Sequence, residues 1–255
     1  MTKYALVTGA SSGIGKEMAK ILKSYGYNLI LVSRRKDRLK EVSNYIGGDN
    51  VILPIDLSKE KELYRLVGTI NEYNLEVFIN CAGFGDCGAF VETDLDKELQ
   101  MIDVNIRAVH ILTKEILKNF SKENKGYILN VASSAGLLPG GPYMATYYAT
   151  KAYVCSLTRA ISKELKDKGL DNVYVGVLCP GPVDTEFNKV AGVKFALKGI
   201  SAISCARAAI NGMLKRKTLI VPTFTMKAGI FFSKFVTGNV LLKIISKQQK
   251  KKIYK

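Results

Sequence analysis

The stretch Tyr4-Ala-Leu-Val-Thr-Gly-Ala-Ser-Ser-Gly-Ile-Gly15 decides the fold. Tyr4 to Val7 reads as a short apolar strand running into a glycine-rich turn, and from residue 13 to 25 apolar residues recur at helical spacing through Ile14, Met18, Ile21 and Leu22. Working outward, the same alternation repeats. Further strands are predicted at 28–32, 51–55, 77–80, 127–131 and 173–178, with helices at 36–45, 59–70, 95–120 and 147–168. Strands this short and this apolar must be covered on both faces, which predicts an α/β fold with a doubly wound, mostly parallel sheet of about seven strands flanked by helices. Beyond Pro180 the pattern loosens into a loop to about Val190, a helix at 204–214, a short strand at 218–221 and a basic tail.

The 255 residues can bury a single full core, and the chain is expected to divide into a catalytic body at 1–225 and a C-terminal extension at 226–255. The opening residues leave no room for the apolar core and cleavage site of a secretory signal, so a cytoplasmic setting is expected. Five cysteines without CxxC spacing and a lone His110 support neither a disulfide framework nor a metal site. The net charge of +16 is uneven: residues 1–186 hold 23 Lys or Arg and all 22 Asp or Glu, while 187–255 hold 15 basic residues and no acid. Such asymmetry points to an anionic partner. No nucleic-acid reading motif accompanies the charge, so nucleic acid is not the expected partner.

In a doubly wound sheet ligands bind at the carboxyl ends of the strands, where the strand order switches. Gly9, Gly13 and Gly15 let the backbone turn after the first strand and approach a pyrophosphate, which rests on amides of Ser11, Ser12, Ile14 and their neighbours at the helix N-terminus. At the end of the second strand, Ser33-Arg34-Arg35 offers cations where a carboxylate would read a free ribose hydroxyl. Arg34 can pair with a 2′-phosphate, which favours NADP(H) over NAD(H); the plainer alternative is two solvated arginines. Asp56, after the third strand, either accepts from an adenine amino group or caps the next helix.

With these pieces in place the chain resembles the short-chain dehydrogenase/reductase family, a Rossmann-like group. The resemblance rests on six motifs in order over roughly residues 3–222: Thr8-Gly-x-x-x-Gly-Ile-Gly15, Asp56-Leu57, Asn80-Cys-Ala82-Gly83, Asn105 with Ser134, Tyr147-x-x-x-Lys151, and Pro180-Gly181-Pro-Val183-Asp-Thr185. It implies that Tyr147 is the catalytic acid or base, that Ser134 positions the substrate oxygen, that Lys151 binds the nicotinamide ribose and that Asn105 completes a proton relay. It also implies that Asn80, Ala82, Gly83, Pro180, Gly181, Val183 and Thr185 line the cofactor site, and that relatives assemble as dimers or tetramers. Ser134 rather than Ser133 is selected by the family's thirteen-residue offset to the tyrosine. Cys81 stands where the family usually has a second asparagine.

Residue chemistry agrees with these roles. A phenol titrates near ~10, so acid–base work at neutral pH needs a neighbour favouring phenolate, and an ammonium one helical turn away can supply it. Of Tyr143, Tyr147, Tyr148 and Tyr153, only Tyr147 has a lysine four residues on. The expected reaction is hydride transfer between the nicotinamide and a carbonyl or secondary alcohol of a hydrophobic, lipid-like molecule such as an acyl thioester or a steroid. A different class of function is an NADP(H)-binding sensor or docking protein with little turnover. In the tail, apolar residues between 226 and 246 are broken by Lys227, Lys234 and Lys243, with Gly238-Asn239 interrupting the helix. Two readings stand: amphipathic helices in a membrane interface, with Lys247, Lys250, Lys251, Lys252 and Lys255 facing headgroups, or an apolar face covering the substrate pocket or a subunit.

Overall fold

The computed structural model describes residues 2–192 and 199–253. Seven parallel strands form the central sheet: β1 (Tyr4–Thr8), β2 (Asn28–Ser33), β3 (Val51–Pro54), β4 (Leu75–Asn80), β5 (Gly126–Val131), β6 (Val173–Leu178) and β9 (Leu219–Ile220). Their order is β3-β2-β1-β4-β5-β6-β9, so the direction of winding reverses between β1 and β4. Strand residues alternate between the two faces as a pleat requires. Ala5, Val7, Leu29, Leu31, Val77 and Ile79 pack toward α1 (Gly13–Ser24), α2 (Lys36–Ile46) and α8 (Ala202–Leu214). Leu6, Ile30, Val32 and Phe78 face the opposite layer of α3 (Glu60–Ile70), α5 (Val109–Glu123) and α6 (Ala145–Asp167). Every one of these strand residues is essentially buried, which is why the strands carry no polar alternation.

Three features depart from the sequence-based expectation. The helix predicted at 95–120 is continuous, but α4 (Leu95–Ile102) passes into α5 through a π turn at Asp103–Ala108 that contains Asn105; one wide turn does not disturb the apolar periodicity. The loop after Pro180 contains a two-residue strand, β7 (Val183–Asp184), paired in parallel with β8 (Ile200–Ser201), and a short helix, α7 (Phe187–Val190). Strands of two residues are too short to show a period. Gly238-Asn239 opens a helix instead of breaking one: α9 (Phe224–Ser233) ends four residues earlier and α10 (Gly238–Ile253) starts at Gly238.

A buried polar network ties the strand ends under the switch point. The Thr8 hydroxyl accepts from the amides of Cys81 and Ala82 at 3.0 and 3.1 Å, joining the end of β1 to the end of β4. Asn80 Nδ2 donates to Asn130 Oδ1 at 3.2 Å, and Asn130 Nδ2 donates to Thr158 of α6 at 3.0 Å. A network so fully paired holds the carboxyl edge of the sheet in one arrangement.

Candidate active site

A cavity of about 640 Å³ opens at the carboxyl ends of β1 and β4, at the switch in strand order. Its nucleotide end is made of backbone. Gly9 and Gly13 have φ of +67° and +55°, and a Cβ on Gly15 would lie 2.4 Å from the Gly9 carbonyl oxygen, so only glycine turns the chain this tightly. Ser12 sits at the N-cap of α1, but its side chain does not cap the helix; its hydroxyl accepts from Arg35 instead. The first amides of α1 are thereby left to an anion, which fits a pyrophosphate. Ser11, Ser12, Gly13, Ile14, Arg34, Arg35, Asp56, Leu57, Ala82 and Gly83 all line this end, together with Pro180, Gly181, Val183 and Thr185.

The two arginines differ. Arg35 is tied down, donating to Ser11 and Ser12 at 3.2 and 3.0 Å and pairing with Glu186 at 2.9 Å. The Arg35 guanidinium holds the Glu186 carboxyl below its usual range, with Arg38 and Ser12 acting in the same sense. Arg34 lines the cavity as an exposed side chain. Asp56 does not cap α3: its Oδ1 accepts from the Ser58 amide and hydroxyl at 3.0 and 2.8 Å, and the N-cap of α3 is Lys59. It stays at the cavity wall through that local turn.

The Asn80 side chain is 1% exposed and spent on Asn130, Val109 and Thr8, so through that side chain Asn80 braces the end of β4. The reason is pleat geometry: in a strand residue next to a lining segment, the side chain turns inward while the following backbone reaches the ligand.

The chemical end centres on α6. Tyr147 and Lys151, four residues apart, are both buried on one face, and Lys151 Nζ stands 5.8 Å from the Tyr147 ring centre. The ammonium donates to the Val131 carbonyl at 3.2 Å, and burial lowers its pKa. Burial pushes the Tyr147 phenol up to about 12, while a hydrogen bond with the Ser133 hydroxyl acts in the opposite sense. Desolvation is the largest cause of that rise, with Tyr148, Cys179 and Cys155 acting in the same sense.

Two serines stand at the chemical end: Ser133 and Ser134 both line the cavity, and it is the Ser133 hydroxyl that acts on the Tyr147 phenol. Ser133 is the last extended residue before a 3-10 turn, with φ −166° and ψ 160°, and its oxygen also accepts from the Ala135 amide at 3.2 Å. Ser134 begins the turn, donates its amide to the Pro180 carbonyl at 2.8 Å and lines the cavity.

Asn105, inside the π turn, is fully buried. Its Oδ1 accepts from the Phe84 amide at 3.1 Å, and its Nδ2 donates to the Phe84 carbonyl at 2.9 Å and to Thr150 at 3.1 Å. The side chain is a clamp that holds the Gly83-Phe84 segment against α6. Gly83 passes between Asn105 and Lys151, where a Cβ would lie 2.8 and 3.2 Å from Oδ1 and Nζ. Cys81 is half-buried and desolvation pushes its thiol up to about 12, so it is no nucleophile.

Sequence reasoning missed the far wall. Phe187 of α7 packs on Tyr147 with ring centres 5.5 Å apart, and Leu138, Met144, Tyr148, Gln248, Gln249 and Lys251 line the same space. Ile245 and Leu241 of α10 pack with Met101, Met144 and Tyr148. The C-terminal helix therefore covers the substrate end, the second of the two readings of the tail. The Lys252 side chain and Lys255 fall outside the described residues.

The sequence profile described as short chain dehydrogenase matches residues 3–194. The chain belongs to the short-chain dehydrogenase/reductase family. An uncharacterised oxidoreductase of Staphylococcus saprophyticus is 36% identical over 189 residues, 72% of this chain and 75% of its own length. A very-long-chain 3-oxoacyl-CoA reductase of Anas platyrhynchos is 32% identical over 201 residues, 75% of this chain and 63% of its own length. A short-chain dehydrogenase from Sphingobium yanoikuyae, solved in complex with NADPH, superposes with a TM-score of 0.83 at 28% identity, over 91% of this chain and 92% of that one. This short-chain dehydrogenase/reductase is accordingly an oxidoreductase with a seven-stranded Rossmann-like sheet.

Proposed function

We propose that the chain is an NADP(H)-dependent oxidoreductase acting on a carbonyl or secondary alcohol of a bulky, apolar, lipid-like molecule, an acyl thioester or a steroid-like ketone. The observation that carries this is a single cavity with a glycine cradle and two arginines at one end and Tyr147, Ser133 and Lys151 at the other. Gly9 to Gly15, Asp56, Ala82, Gly83 and Thr185 would hold a nicotinamide nucleotide, which would supply or take the hydride. Arg34 takes the 2′-phosphate, and Arg35 keeps the glycine loop in shape. NADP(H) is supported further by the NADPH bound to the Sphingobium relative, and a lipid-like substrate by the acyl-CoA reductase among the relatives.

In the reducing direction, Tyr147 gives its proton to the carbonyl oxygen as negative charge develops there, and the Ser133 hydroxyl donates a hydrogen bond to the same oxygen. A phenol near 12 is protonated at neutral pH and so carries the proton that carbonyl reduction consumes. Lys151 contributes a buried positive charge beside the tyrosine. Asn105 is a positioning residue that keeps Phe84 and α6 in register. The test is a panel of ketones, 3-oxoacyl thioesters and matching alcohols followed by NADPH and NADH absorbance. Turnover confined to small hydrophilic carbonyls, or none with any member, overturns the substrate class.

Residues 1–225 form the catalytic body in this reading, and 226–255 an extension that walls the substrate end. No helix among the described residues is long and apolar enough to cross a membrane. The face of α9 that exposes Phe224, Phe231 and Phe232, with Phe235 beyond it, belongs in this reading to a subunit contact of a homodimer or homotetramer, or to peripheral membrane contact. A Phe231→Ser, Phe232→Ser, Phe235→Ser triple variant separates them: a fall in solution mass marks the subunit contact, and a loss of liposome co-sedimentation marks the membrane.

A further inference from the structure

Gln249 is an unusual residue to find under a lysine-rich helix end. It is 3% exposed, sits in the wall of the substrate end and donates from Nε2 to the Tyr148 hydroxyl at 2.8 Å. Its Oε1 is equally shut from solvent and has no donor among the described residues. Buried acceptors are almost always paired, and one left unpaired in a cavity wall is pre-set for a donor on whatever fills the cavity.

The placement of this amide follows from α10 itself. Ile245 is buried against Met144, Tyr147 and Tyr148, and Gln249 stands one turn later on the same helical face. The apolar stripe that docks the helix therefore ends in a polar head beside the second tyrosine of the α6 pair. Around that head lie cations: Lys251 lines the cavity and Lys250 sits over the Tyr143 ring at 5.5 Å. No acid follows Glu186 in the chain to neutralise them. Apolar wall, buried acceptor and cationic rim thus meet on one helix.

We propose that α10 reads the carrier arm of an acyl thioester, with Gln249 Oε1 accepting an amide N–H of the arm and the lysines at the rim meeting its phosphate. The acyl chain then lies against Leu138, Met144 and Phe187, and the 3-oxo group reaches Tyr147. Tyr148 holds the Gln249 amide in orientation, so its part is positioning. This inference rests on the carbonyl-reductase reading of the same site and assigns the non-reacting half of the substrate. A steroid-like ketone, with no amide to offer, leaves Gln249 Oε1 unpaired.

The test compares two 3-oxodecanoyl thioesters that differ in one atom pair: the N-acetylcysteamine thioester, with an amide N–H in its arm, and the 2-acetoxyethanethiol thioester, in which oxygen replaces that N–H. The wild-type enzyme should favour the amide arm by about 10-fold in kcat/KM, expressed in KM. Gln249→Met, close in shape and without an acceptor, should bring that ratio near one, whereas Gln249→Glu, which keeps acceptor oxygens, should keep a preference. A wild-type ratio near one, or a ratio that survives Gln249→Met, overturns the proposal. Reduction of other bulky ketones with no turnover of either thioester overturns the thioester assignment while leaving the reductase reading intact.

Discussion

The two ends of the cavity are built from different material. The nucleotide end is backbone: glycines in conformations closed to other residues, helix amides and a turn held by Thr8, all within short reach of β1 and β4. The substrate end is side chain, contributed by α6, α7 and α10, elements separated by up to about a hundred residues of sequence. Backbone geometry tolerates almost no substitution, whereas a wall of side chains can be refitted one residue at a time. The first end is the kind a fold can keep while its substrates change, and the second the kind that can be refitted to them.

The largest effect should come from the atom that joins the two ends. Tyr147→Phe removes the proton donor, and kcat for carbonyl reduction should fall by about 10³-fold. NADPH affinity, measured by titration calorimetry, should stay within about twofold, since the loss is in chemistry. A variant that retains most of its turnover would return the protein to the sensor reading. Next in size, Ser133→Ala should cost about 10²-fold in kcat, and Ser134→Ala only a few-fold, by the loss of a hydrogen bond to the developing oxyanion. The reverse ranking restores the serine chosen by residue counting.

At the nucleotide end, Arg34→Glu should raise KM for NADPH by at least about 10-fold more than KM for NADH, because a carboxylate replaces a phosphate partner. An equal change for both cofactors removes the 2′-phosphate assignment. The smallest expected effect is on the pH profile of reduction. With the Tyr147 pKa raised to about 12, the protonated donor is the resting form at all neutral pH values. Reduction should therefore be nearly flat between about pH 6 and 9, while alcohol oxidation, which needs the phenolate, should rise close to tenfold per unit. A reduction rate that falls through pH 7 would show that bound cofactor brings Lys151 to the phenol and lowers it.

Much of this was legible in the sequence because the signals were local. Strand, turn and helix at residues 4–25 and the Tyr147–Lys151 spacing each lie within a few turns of chain, and the apolar strands followed from burial on both faces. Asn80 and Asn105 sit in motif positions, yet their side chains brace the floor and clamp a neighbouring segment, and only the direction in which each points separates bracing from binding. The pairing of Arg35 with Glu186, 151 residues away, and the docking of Gln249 on Tyr148, 101 residues away, leave no periodic trace. Nor does the π turn, since one extra residue in a long helix shifts the apolar stripe by too little to notice.

The short parallel pairing of Val183 with Ile200 and of Asp184 with Ser201 has an evolutionary consequence. It staples together the departure and return of the intervening segment, so the sheet registers only two anchor points and is indifferent to what is spliced between them. Exchange of that insert that keeps Thr185 and the Glu186 partner of Arg35 should change the wall that Phe187 forms beside Tyr147 and leave the nucleotide end in place.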